Sequence, residues 1–155
     1  GTAISAPSPP GRLPAGWEFT LPTEAQWEFA CRAGNERDHP ENLEVMGWYN
    51  KNSGGKIHEV GTRQANAWGL YDMHGNVWEW CLDWFAGYPR TAQAATDPTG
   101  PPADTRRVAH DSGRVMRGGG WGDSAVRSSS VSRSSSVQGS SRNILGFRLA
   151  LVPLR

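Results

Sequence analysis

The sequence predicts an α+β domain in which irregular structure outweighs helix and strand. Three observations carry this. One amphipathic helix is framed by clear caps, the other regular segments are short and strand-like, and two long turn-rich stretches separate them. Eight tryptophans and nineteen glycines among 155 residues point to large rings packed beside close backbone turns. The length suits one domain.

Residues 1–11 are rich in Pro, Gly and Ala and read as a flexible arm. Residues 12–155 read as a single domain, opening with a short strand at Trp17–Thr20. The helix follows at about Thr23–Ala33. Thr23 caps it, and Gln26 completes a capping box. Glu24 lies in the first turn, where the helix dipole favours negative charge. Trp27, Ala30 and Cys31 recur at i, i+3 and i+4 as one apolar face, and Gly34 is placed to end the helix.

Residues 35–66 show no period, and Asn52-Ser53-Gly54-Gly55 is a turn signal. Trp48, Tyr49, Ile57 and Val60 are expected to anchor this loop to the core. A second loop with four prolines spans residues 86–112. Two such loops exceed what compact domains ordinarily carry, so each is tied down or functional. Strands are expected at Arg114–Arg117 and Leu145–Val152, with Arg114–Arg117 and Phe147–Val152 sharing a small antiparallel sheet.

Several function classes fall away. Sixteen basic and fifteen acidic residues leave a net charge of +1, which argues against a nucleic-acid binder driven by phosphate neutralisation. No apolar run approaches the ~18–20 residues of a membrane span, so membrane insertion is not expected. The N-terminus GTAISAPSPPG lacks the charged and apolar regions of a signal peptide. Two cysteines are too few for a disulfide scaffold or a four-cysteine zinc site. Cys31 and Cys81 read as small buried residues rather than as a disulfide. His39, His58, His74 and His110 show no metal-ligand spacing.

Three blocks stand in order: RLPAGWEFTLPTEAQWEFACRAG, NAWGLYDMHGNVWEWCLDWF, and RVMRGGGWGDSA followed by NILGFRLALV. Together they resemble the formylglycine-generating-enzyme (sulfatase-modifying factor) family over roughly residues 12–152. The resemblance implies a C-type lectin-like fold of the formylglycine-generating-enzyme type. It also implies that the part usually found upstream of Arg12 is absent, as in a trimmed version or a fragment. The family's oxidase chemistry needs a C-terminal pair of cysteine thiolates that bind copper, and soft thiolates suit Cu(I). No cysteine follows Cys81, and serines stand where the pair is expected. A hydroxyl does not replace a thiolate, so neither copper nor catalysis is expected.

The block Tyr71–Trp80 holds two carboxylates around His74-Gly75-Asn76. By the residues alone, Asp72 caps a turn and Glu79 pairs with an arginine. The resemblance implies a structural Ca2+ instead, held by the side chains of Asp72 and Glu79 and the carbonyls of Gly75 and Val77. Mixed carboxylate and carbonyl oxygens suit that ion.

Residues 122–144 contain ten serines. A low-complexity linker is one reading, but the segment sits tightly between RGGGW and LGFRLALV. It resembles the rewritten segment in variable proteins of diversity-generating retroelements, which share this fold. There, reverse transcription that is error-prone at template adenines scatters asparagine codons into other residues. Changing only the adenines of AAC reaches Gly, Asp, Ser, Val, Arg and Ile but not Lys, Glu, Gln, Met or Trp. The resemblance assigns template asparagines to Gly122, Asp123, Ser124, Val126, Arg127, Ser132, Ser134, Ser135, Ser136, Val137, Ser140, Arg142 and Ile144. Asn143 is an unmutated survivor. Gln138 does not fit and is expected to be fixed. Trp121, Ala125, Gly146 and Phe147 are expected buried beneath an exposed face, with Arg127, Arg133 and Arg142 as its anchors. The partner is then a protein or surface ligand bound by that face. An undiversified lectin-like binding or scaffold domain is the alternative, and an oxidase a more distant one.

Overall fold

A computed structural model of the chain describes residues 13–40, 42–88, 96–102 and 113–154. The expected arm lies outside the described residues, as do His110 and parts of the 86–112 loop. The class is α+β with few helices and much irregular structure, as expected.

Strand β1 (Trp17–Thr20) leads into helix α1 (Glu24–Arg32). The Thr23 hydroxyl accepts from the Gln26 amide, and the Gln26 side chain accepts from the Thr23 amide, so the capping box forms. Ala33 turns left-handed at φ 45° to close the helix, one residue before the expected Gly34. A one-turn helix, α2 (Leu43–Met46), interrupts the first loop where no period signalled it. It is held from outside: Gln64 donates to Val45 O at 2.9 Å and Asn52 to Gly47 O at 2.9 Å.

The central strand is β2 (Trp78–Trp84). Its neighbours are β3 (Arg114–Arg117), β4 (Arg133–Ser136) and β5 (Leu145–Gly146), in the order β4-β3-β2-β5. β3 runs antiparallel to both β2 and β4, and β5 lies parallel to β2. One face of the sheet packs on α1, where Trp27, Cys31, Met73, Cys81 and Val115 form the apolar core.

β6 (Ala150–Pro153) belongs elsewhere. It pairs antiparallel with β1 in a separate two-stranded ribbon, with Phe19 opposite Leu151. The single expected strand over Leu145–Val152 is thus split between two sheets. The break falls around Arg148, whose guanidinium binds Glu79 and Tyr71 O instead of standing clear of a strand.

The first loop is anchored by fewer residues than expected. Tyr49 is buried, and Trp48 is half-buried between His58, stacked at 3.6 Å, and Arg63, whose guanidinium lies 3.5 Å from the ring centroid. Ile57 and Val60 are exposed and anchor nothing. Their place is taken by Asn76, fully buried, which exchanges side-chain hydrogen bonds with the His58 backbone at 3.0 and 3.1 Å and donates its amide to Trp48 O. Next to it, Gly75 passes so close to Trp48 that a Cβ would lie 2.1 Å from the Trp48 carbonyl oxygen. Only glycine fits there.

Candidate functional site

The serine-rich segment is hydrogen-bonded to the rest of the domain at both ends and in the middle. After β3 the chain turns through Gly118-Gly119-Gly120. Gly119 has φ +78°, and a Cβ there would lie 2.7 Å from Arg127 O, so the segment folds directly onto it. Trp121 donates its amide to Asn76 O at 2.8 Å. One carboxylate oxygen of Asp123 accepts from the Trp78 indole at 2.7 Å and from the Gly120 amide at 2.9 Å.

The middle is held by Ser128, Ser129 and Ser130, all buried. His74 Nδ1 donates to Ser128 O at 2.8 Å, which places the ring proton on that nitrogen. Ser130 gives both its amide and its hydroxyl to Asp38 O. Arg117 is fully buried and donates to Ser130 O at 2.7 Å, to Ser132 O at 2.8 Å and to the Glu28 carboxylate. Nothing in the sequence marked this arginine as a clamp. A buried arginine needs such partners, because leaving its charge or the carbonyls unpaired is costly.

None of the fourteen positions expected to form the variable set is buried. Gly122, Ser124, Val126, Arg127, Val137, Arg142 and Asn143 are exposed. Asp123, Ser132, Ser134, Ser135, Ser136, Ser140 and Ile144 are half-buried. The only buried residues of 122–144 are Ser128, Ser129 and Ser130, and all three lie outside the set.

The set forms two groups rather than one face. The first surrounds Trp78 and Trp121. Asp123 bonds Trp78, the Arg127 guanidinium lies 5.3 Å from the Trp78 ring centroid, Ile144 O accepts from the Trp78 amide, and Asn143 O accepts from the Trp121 indole. The second runs along edge strand β4 and the turn after it, where Ser136 and Ser140 share a hydrogen bond of 3.0 Å. Side chains alternate along a strand. Ser134 and Ser136, opposite Met116 and Arg114, therefore point away from Ser135, which lies opposite the core residue Val115.

The expected supports also need correction. Phe147 is 65% exposed, and Trp121, Ala125 and Gly146 are half-buried rather than buried. Phe147 turns outward because its neighbour Arg148 turns in to Glu79. Arg133 is no anchor for a ligand. It holds Glu24 through two bonds of 2.6 and 2.7 Å and sits over Phe85 and Tyr88. Burial works against its charge, but the Glu24 bonds and charge outweigh it, so its pKa ends above the ordinary arginine value.

The four expected calcium ligands lie on one stretch of chain, but their carboxylates are differently employed. Glu79 takes two bonds from Arg148, at 2.5 and 2.6 Å, and one from the Trp27 indole at 2.7 Å. Asp72, at φ 58°, accepts from the Gly61 amide at 2.7 Å, and its other oxygen is buried without a partner. A dication wants six to eight oxygens, and this set offers one open carboxylate oxygen and two backbone carbonyls, beside a resident guanidinium. The residues as arranged do not fit the ion. Among the described residues no group of three or more His, Cys, Asp or Glu is placed to hold a metal.

Both cysteines are free and buried, as expected. Cys31 lies 3.6 Å from Met73 O and 3.6 Å from His74 Nε2. Burial pushes its thiol up to about 12, and burial raises Cys81 as well. Without a metal bound, such thiols stay protonated at neutral pH.

Residues 4–152 match the model of the sulfatase-modifying factor enzyme 1-like domain. The structure is similar to Treponema denticola variable protein 1, with a TM-score of 0.75 and 39% identity, covering 87% of this chain and 48% of that one. It is also similar to PvdO from Pseudomonas aeruginosa, with a TM-score of 0.68 and 26% identity, covering 88% of this chain and 53% of that one. The formylglycine-generating enzyme of Streptomyces coelicolor is 35% identical over 150 residues, which is 84% of this chain and 46% of the enzyme. The chain therefore spans about half the length of each of these three proteins.

Proposed function

The chain belongs to the sulfatase-modifying factor enzyme 1-like domain family, and on that premise we propose that it is a non-catalytic binding domain whose 122–144 segment is diversified by a retroelement. One observation carries the reading. The residues that the adenine rule would scatter are all at least partly accessible, whereas the segment's three buried serines fall outside that set. Diversification needs this division, since changes at accessible sites away from special features cost less than about 0.5 kcal/mol.

Two further observations support it. The similarity in structure to a variable protein covers most of the chain. No cysteine stands between Cys81 and Arg155, so the C-terminal thiolate pair that the oxidase alternative needs has no counterpart in this sequence. Arg148 and Trp27 already occupy Glu79, which argues against calcium there.

Mechanistically, the backbone of the segment is fixed by Arg117, His74, Asp38 and Asn76, while the outward side chains are free to meet a partner. The test is the neighbouring DNA. A near-copy of the 117–150 coding region, differing at adenines in the codons of the set and lying beside a reverse transcriptase gene, is the expected finding. A copy whose differences fall on Ser128–Ser130, or no copy at all, refutes diversification.

A further inference from the structure

We infer that the group around Trp121, extended by Lys51 and Lys56 from a distant loop, is a docking surface for an acidic polypeptide. The inference rests on the binding reading above and adds the charge of the partner.

Lys51 and Lys56 are the chain's only lysines, and both are exposed. They flank the turn Asn52-Ser53-Gly54-Gly55, which is fastened to the serine-rich segment. Asn50 donates its amide to Asp123 O at 2.9 Å, and the Ser53 hydroxyl donates to Trp121 O at 2.8 Å. Ser53 is itself buried and receives the Gly55 amide at 3.2 Å. The turn that carries both lysines is therefore held beside Trp121.

Two guanidinium groups come from the segment. Arg127 is exposed above the Trp78 ring, and Arg142 is exposed next to Asn143, whose carbonyl receives the Trp121 indole. Of the acidic groups nearby, Asp123 and Glu44 make contacts, and Glu59, three residues past Lys56, is exposed. Asp123 is bonded to Trp78, Gly120 and Arg127, the last at 3.0 Å. Glu44, behind the same turn, lies 3.5 Å from the Tyr49 hydroxyl. Lys51, Lys56, Arg127 and Arg142 stand against Asp123, Glu44 and Glu59, which leaves the patch positively charged.

The chemistry of the patch favours a polypeptide over a nucleic acid. Binding energy at protein interfaces concentrates in Trp and Arg, and rim charges steer a complementary partner. A half-exposed Trp121 with flanking arginines and outer lysines has that composition, and exposed Val126 adds apolar contact. Tight phosphate-backbone binding would call for more cations than four.

The experiment titrates the protein into fluorescein-labelled poly-L-glutamate and follows anisotropy at about 50 mM and about 200 mM NaCl, which brackets strong and weak screening. Binding is expected at low salt and should weaken about tenfold at the higher salt. Lys51→Ala with Lys56→Ala, and separately Arg142→Ala, should each weaken it several-fold, whereas Arg37→Ala should not. Absence of binding, or equal loss in the Arg37 variant, overturns the inference. So does binding to heparin or to phosphatidylserine vesicles without binding to poly-glutamate. A template repeat beside the gene, found together with no poly-glutamate binding, would sink this charge assignment and leave diversification standing.

Discussion

The division of the serine-rich segment into framework and face makes a sharp prediction about two serines that look alike in sequence. Ser130 is 2% exposed, gives its amide and hydroxyl to Asp38 O at 2.8 and 3.0 Å, and offers its carbonyl to Arg117 at 2.7 Å. Ser124 is exposed, and its hydroxyl makes no capping bond to the 3-10 turn Ala125–Ser128 that follows. Replacing Ser130 with Tyr loses a side-chain hydrogen bond, about 1 kcal/mol. It also forces a ring into filled space, about 1–3 kcal/mol. The sum is about 2–4 kcal/mol, or a fall in Tm of roughly 4–16 °C for a chain of this size. Ser124→Tyr should cost less than about 0.5 kcal/mol and move Tm by no more than about 2 °C. Thermal melting followed by near-UV circular dichroism, with urea unfolding as a check, measures both. Equal shifts in the two variants would refute the division, and with it the physical basis of the proposed diversification.

Asp123 is the member of the variable set most committed to the framework, so Asp123→Val should cost about 1–3 kcal/mol by stranding the Trp78 indole N–H, while Asp123→Asn, which keeps an acceptor, should melt close to wild type. Cys31 and Cys81 should resist iodoacetamide in the native protein at neutral pH and react once it is unfolded, because burial raises both thiols; stoichiometric native labelling would contradict their burial. Burial is the main reason that the His74 pKa lies below the ordinary 6.5. The unfolded chain therefore takes up a proton first, and the stability that neutral His74 contributes is complete above pH 6.5 and is lost as pH falls from there toward the folded-state value. An imidazole midpoint at or above 6.5 in an NMR titration would reverse that sign. Chelation by EDTA should leave Tm unchanged, since Arg148 already neutralises Glu79; a drop abolished by Asp72→Ala would show that calcium displaces the arginine.

The parts of the fold that were legible in the sequence are those where side chains announce their own role. The capping box of Thr23 and Gln26 and the apolar face of Trp27 and Cys31 follow from spacing, and both stand in the structure. The central strand did not declare itself, because its alternation is inverted. Glu79, Cys81 and Asp83 are buried on it while Leu82 is exposed. Each inward carboxylate has a distant partner, Arg148 and Trp27 for Glu79 and the Glu24 amide for Asp83, which no local pattern reveals. The same blindness covers the candidate site. Ser128, Ser129 and Ser130 look like their neighbours because what fixes them is mostly main chain, with carbonyls at 128, 130 and 132 accepting from His74 and Arg117. Lys51 and Lys56 stood outside the segment for a related reason: the bonds that bring them to Trp121 run through the Asn50 amide and the Ser53 hydroxyl, about seventy residues away. That mode of attachment bears on function. A segment held by its carbonyls keeps its path whatever side chains it carries outward, so the grip of Arg117, His74 and Asp38 lets Gly122, Ser124, Val126 and Arg142 change while the fold does not.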